Sequence, residues 1–181
     1  MNNRFIIKKK DLDFQREWVE RIENININSM MSSLVVGPSG SGKYTRIIYL
    51  LHRWLRLKNP CKLSQHKIVI KAESKKHDVQ FIKSDHFVIF DFFHYKNIDK
   101  YVLKQFMDDY INSSYFIRHK KIIIIKNAHN MSNLGQIRLK GLLEKYYNKA
   151  IFILLTSQPS LIIKSLQQHL IMMRHNNITN N

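Results

Sequence analysis

A short apolar stretch, Ser33 to Val36, runs directly into Gly37, Pro38, Ser39, Gly40, Ser41, Gly42, Lys43, Tyr44 and Thr45, and an apolar-periodic segment, Thr45 to Leu57, follows. No other part of the chain restricts the fold so narrowly. Gly37, Gly40 and Gly42 let a backbone turn through dihedrals closed to other residues and aim its N–H groups at an anion. Lys43 adds a mobile positive charge for β and γ phosphates, and the start of the following helix adds its N-terminal dipole. Gly37, four residues, Gly42 and Lys43 satisfy most of the Walker A pattern, whose context is a strand before and a helix after. The whole run from Gly37 to Thr45 is therefore the candidate phosphate-binding set.

One residue departs from that pattern. Tyr44 stands where a Ser or Thr hydroxyl would reach a magnesium ion, and a phenol there carries its oxygen too far out. Thr45 leaves the helix about 100° further round, which puts ordinary Mg2+ ligation in doubt. Hydrolysis also needs an acidic pair at the end of an apolar strand, one carboxylate for the metal and one to polarise water. The strand Ile122 to Ile125 instead leads into Lys126, Asn127, Ala128 and His129. A lysine repels the metal and can pair with phosphate itself; an asparagine can position a water but cannot take its proton. The rival carboxylate at a strand end is Asp91, after Val88 to Phe90. No catalytic residue and no metal ligand are assigned.

The chain has 181 residues, 44% of them apolar, enough to bury one core. Asp13 is expected to cap a helix with Phe14, Trp18, Val19 and Ile22 on one face. In the helix after the glycine run, Ile47, Ile48, Leu51, Trp54 and Leu55 face inward. Two or three strands are expected between Lys67 and Phe93, with turns at Glu73 to Lys76 and Lys83 to Asp85. The order continues with a helix from Asn97 to Asn112, a central strand at Ile122 to Ile125 and a helix from Ser132 to Tyr147. It closes with a strand from Ala150 to Leu155, a helix near Pro159 to Gln167 and a strand around Leu170 to Met173. Strands alternating with helices imply a three-layer α/β fold around a central parallel sheet. The domain is placed at residues 1–174, with a polar tail at 175–181.

The formal charge of +17 favours polyanionic partners, nucleic acid first. Arg118, Lys120, Lys121, Lys126, Arg138, Lys140 and Lys145 gather around the second motif and suggest a DNA-tracking face. Cys61, the single cysteine, cannot form an internal disulfide, and with nine His it shows no zinc-ligand spacing. No membrane segment is evident, because the most apolar stretches are far shorter than a bilayer span.

The chain resembles the small subunits of replication factor C, the sliding-clamp loaders of the AAA+ class, and most of all the non-catalytic small subunit at the end of the ring. The resemblance spans roughly Asp11 to Arg174. It rests on Leu12, Asp13, Phe14, Arg16 and Glu17, on GPSGSGK followed by Tyr44, Thr45 and Arg46, and on Leu142, Leu143, Glu144, Lys145 and Tyr146. It implies a P-loop NTPase domain of AAA+ type that binds ATP or ADP, with a sensor position at Thr156 or Ser157. It implies as partners other clamp-loader-like subunits, a sliding clamp and primer-template DNA, in the nucleus or at a viral replication site. Gln167, Gln168 and His169 stand where the family offers an arginine finger, and neither amide nor imidazole replaces a guanidinium fork. The sequence stops where the family's lid and collar domains would begin. The expectation is thus a subunit that binds nucleotide with little or no hydrolysis. Two alternatives stand beside it: a small P-loop kinase or NTPase using Asp91, and a basic DNA-binding module with a relic P-loop.

Overall fold

The computed structural model describes residues 26–57, 61–95, 97–113 and 119–175. The expected helix from Asp13 and the tail beyond residue 175 lie outside them. Among the described residues seven strands form one sheet: β1 (Ser33–Val36), β2 (Ser64–Ala72), β3 (Lys75–Lys83), β4 (Phe87–Asp91), β5 (Lys121–Lys126), β6 (Ala150–Thr156) and β7 (Ile171–Arg174). Their order across the sheet is β2-β3-β4-β5-β6-β1-β7. From β4 to β7 every pairing is parallel. The sheet is not parallel throughout, because β2 and β3 form an antiparallel hairpin on β4. Two residues, Glu73 and Ser74, join Ala72 to its partner Lys75, and Glu73 takes a left-handed φ of 56° as a tight hairpin turn requires.

Why β5 and β6 lie at the centre is visible in their side chains. Every residue from Ile122 to Ile125 and from Ile151 to Ile153 has zero exposure, so these strands have no solvent side. Alternation divides them between two cores. Ile123, Ile125, Phe152 and Leu154 enter one, while Ile122, Ile124, Ile151 and Ile153 enter the other. Helix α1 (Lys43–Trp54) covers the second core with Ile47, Ile48, Leu50, Leu51 and Trp54. Cys61 packs half-buried against this same core. Each fully buried Ile or Leu contributes roughly 1.5–3 kcal/mol.

The first core is covered by two helical layers. One is a continuous stretch made of α2 (Asp99–Val102), a π segment (Leu103–Met107) and α3 (Asp108–Asn112). Its buried residues Leu103, Met107 and Ile111 recur every fourth position, wider than an α-helical period, and the π segment accommodates that spacing. The other is α4 (Asn133–Lys145), capped by the Ser132 hydroxyl, which accepts from the Gly135 N–H at 3.0 Å. Buried Asp99 ties the two layers together. Its carboxylate accepts from the Ser132 N–H at 2.6 Å and hydroxyl at 2.8 Å. A Cβ on Gly135 would lie 2.1 Å from that carboxylate, so any larger residue would have to displace the Asp99 side chain from Ser132.

Where one helix is expected near Pro159 to Gln167, a 3-10 turn (Pro159–Leu161) is followed by short α5 (Lys164–Gln167). Pro159 opens that turn, and the extended Ile162 and Ile163 separate it from α5. Leu55 lies just past α1, half-buried and packed against the second core. Among the described residues no helix is long and apolar enough to cross a membrane.

Candidate phosphate-binding site

The glycine run leaves the C-terminal end of β1, an interior strand held between β6 and the edge strand β7. The Gly37 N–H donates to the Thr156 carbonyl at 3.1 Å, which anchors the loop to the end of β6. Gly40 and Gly42 have φ of 75° and 80°, with open space around an added Cβ, so conformation demands glycine there. Gly37 is not left-handed, contrary to the dihedral reason inferred from sequence. It is glycine because a Cβ would sit 2.5 Å from the His175 carbonyl oxygen.

Gly42 then starts α1 without a capping side chain, and no acidic residue stands in the first turn. The positive end of α1 therefore faces the loop unmasked. Lys43 curls back over it, donating from Nζ to the Gly37 carbonyl at 2.7 Å and the Pro38 carbonyl at 2.5 Å. Burial pushes its ammonium pKa down. A cavity of about 280 Å3 opens here, with Ser39, Gly40, Gly42, Lys43 and Tyr44 on one side and Lys126, Asn127, Thr156 and Ser157 on the other. Thr45 is not among its lining residues.

The opposite wall comes from the ends of β4, β5 and β6. Asp91 and Lys126 are register partners on β4 and β5, so the two strand ends weighed as rivals in the sequence meet at one place. Lys126 Nζ lies 3.0 Å from Asp91 Oδ2 and 5.1 Å from the centre of the Tyr44 ring. Asp91 Oδ1 accepts from the Asn127 amide at 2.7 Å and from the Phe93 N–H at 3.1 Å. Burial alone raises the Asp91 pKa. The Asn127 amide, the Lys126 ammonium and the Phe93 N–H outweigh that and hold the carboxyl below its ordinary range. Asn127 has a left-handed φ of 51°, which Asn tolerates better than most residues.

At the end of β6, Thr156 Oγ1 lies 3.2 Å from His129 Nδ1 and accepts from the Gln158 N–H at 3.1 Å. Burial, followed by the Lys43 charge, holds the His129 imidazole below its usual pKa. The arrangement presents two ammonium groups and a helix N-terminus to an anion. Both oxygens of Asp91, the adjacent carboxylate among the described residues, are engaged, so it is poorly placed to act as a base.

The remaining sequence candidates separate. Gln167 is structural, its amide donating to the carbonyls of Pro159 at 3.0 Å and Ile162 at 2.7 Å. Gln168 is exposed, and His169 Nε2 lies 2.9 Å from Glu144 Oε1. The basic group around the second motif is not one solvent-facing stripe. Lys121 is buried, Lys126 faces the cavity, and Lys140 and Lys145 pair with Glu144 and Asp108. Arg118 and the block from Leu12 to Glu17 lie outside the described residues. Sequence reasoning missed the Arg46 guanidinium against the His175 ring, both buried. A polar tail was expected from residue 175, and nothing local marks this His as buried.

This geometry, a glycine loop between β1 and a helix with the second motif two strands away, has known relatives. Residues 14–176 match the family described as DNA polymerase III, delta subunit. The chain belongs to that family. It is 28% identical over 166 residues to an Acanthamoeba polyphaga mimivirus protein named as a replication factor C small subunit, covering 88% of this chain and 44% of that protein. To replication factor C subunit 5 of Schizosaccharomyces pombe it is 26% identical over 168 residues, covering 90% and 47%. This family member thus spans less than half the length of the curated relatives it matches. A Thermotoga maritima DNA polymerase III gamma-subunit-related protein has the same fold, with a TM-score of 0.56 at 15% identity over 88% of this chain and 45% of that one. So does a Thermotoga maritima RuvB variant, with a TM-score of 0.52 at 12% identity over 94% and 45%. The fold is that of an AAA+-type P-loop domain, as the sequence resemblance implied.

Proposed function

We propose that this chain is a nucleotide-binding subunit of a clamp-loader assembly, holding ATP or ADP at Gly37 to Thr45 with little or no hydrolysis. Its AAA+-like domain is placed at residues 1–174 and a polar tail at 175–181, with His175 itself buried against the domain. It works with other clamp-loader-like subunits, a sliding clamp and primer-template DNA, in the nucleus or at a viral replication site. One observation carries the reading. The loop wall has its glycine conformations, its helix N-terminus and Lys43, whereas Asp91 across the cavity is bound by Lys126 and Asn127. The family and the names of the relatives support the replication role. The net charge of +17 supports contact with DNA.

Calorimetric titration of the purified chain with ADP and ATP, alongside a phosphate-release assay, tests it. The expected outcome is a Kd on the order of micromolar and turnover below about 10⁻³ s⁻¹. Rapid DNA-independent hydrolysis would sink the inactive assignment. Absence of nucleotide binding would sink the whole reading.

A further inference from the structure

P-loop sites ordinarily hold a divalent ion between the terminal phosphates, ligated by the hydroxyl after the loop lysine and by a carboxylate at a neighbouring strand end. The residues of this chain do not fit that ion. The hydroxyl position is Tyr44, whose ring lies under Lys126 with 5.1 Å from Nζ to the ring centre. The strand end of β5 presents Lys126 rather than a carboxylate. Asp91 beside it has Oδ2 on Lys126 at 3.0 Å and Oδ1 on the Asn127 amide at 2.7 Å. Among the described residues no group of three or more His, Cys, Asp or Glu is arranged to hold a metal ion.

Resting on the reading of this loop as a nucleotide site, we infer that it takes its nucleotide as a metal-free polyphosphate anion, with the Lys126 ammonium in place of the divalent ion. Lys126 is equipped for that role. It lines the cavity with Lys43, so two tethered cations face the space where phosphates would lie. An ammonium has three donors; one serves Asp91, leaving two for phosphate oxygens. Asp91 and the Tyr44 ring fix the long side chain from two directions, so less rotamer freedom remains to be lost on binding. A divalent ion entering the same space meets Lys126 as a like charge in a partly desolvated site, where repulsion is strong.

The test is fluorescent-ADP binding to the whole chain, in EDTA and in millimolar MgCl2. The expected Kd is the same in both within about twofold, because a tethered ammonium supplies what the metal otherwise would. Lys126→Met, which keeps the stem and removes the charge, should weaken binding about tenfold in EDTA, the loss of one charge-assisted contact, with no rescue by MgCl2. Thermal melting without nucleotide checks that this variant is folded; if it is not, the wild-type comparison decides alone. A wild-type Kd at least about tenfold weaker in EDTA would overturn the metal-free inference while leaving the nucleotide site standing. A folded Lys126→Met that binds as tightly as wild type would also overturn it. Failure to bind ADP in either buffer would remove the nucleotide reading itself and this inference with it.

Discussion

The two walls of the cavity are made in different ways. The loop wall is backbone: left-handed Gly40 and Gly42, a helix N-terminus, and one side chain, Lys43, folded over it. The facing wall is side chains from the ends of three strands, with Asp91, Lys126 and Thr156 brought together only by sheet register. A wall made of backbone needs a contiguous run of permissive residues and keeps its function whatever stands across from it. A wall made of side chains can change its chemistry one residue at a time while the strands keep their pairing. Here β4 and β5 remain in parallel register through Asp91 and Lys126, although the pair now satisfies itself. The proposed function rests on that difference, since it assigns binding to the loop wall and no cleavage to the facing one.

Three measurements press on that contrast. The largest effect is expected from Lys43→Ala, which removes the one charged side chain of the loop wall. ADP affinity should fall about a hundredfold while the melting temperature stays close to wild type. A loss under about threefold would mean that the loop wall does not govern binding. A smaller effect, of opposite sign, is expected from Asp91→Asn. Without its carboxylate partner Lys126 has all its donors available to phosphate, so ADP should bind about threefold tighter, with hydrolysis still at background. A drop in phosphate release or phosphoryl transfer on this substitution would put Asp91 in the chemistry and revive the kinase alternative.

The smallest effect concerns acid stability. The Asp91 carboxyl sits below its ordinary pKa when folded, so its contribution is fully present above the unfolded value and is lost as pH falls through the folded one. Asp91 is partly exposed, which keeps that contribution modest. Asp99 is displaced upward by burial and contributes with the opposite sign, so the difference between wild type and Asp91→Asn isolates Asp91. Denaturation from neutral to acid pH should show wild type losing slightly more stability than the variant. Parallel curves would mean that the Asp91 network adds nothing to the fold.

The loop wall was legible from sequence because its signal is contiguous, with glycine spacing, lysine and apolar flanks within one short segment. The central strands were legible because an unbroken Ile122 to Ile125 has few other uses. What stayed hidden depends on pairing between distant segments. That Asp91 would meet Lys126 follows from β4 lying beside β5, which no local pattern encodes. The hairpin of β2 and β3 alternates apolar and polar residues as any half-buried strand does, so its edge position and direction were not readable. The π segment was obscured because Leu103, Met107 and Ile111 differ from an α-helical stripe by a fraction of a residue per turn.

The contact between Gly37 and His175 carries a further consequence. The first glycine of the loop touches the backbone just past β7, the His175 N–H donates to the Val36 carbonyl at 2.7 Å, and Arg46 from the next helix closes on the His175 ring. Loop, helix start and strand exit are thereby one mechanical joint with almost no slack. On the proposed reading, a loop that shifts to admit a phosphate would press on His175, just past the end of β7.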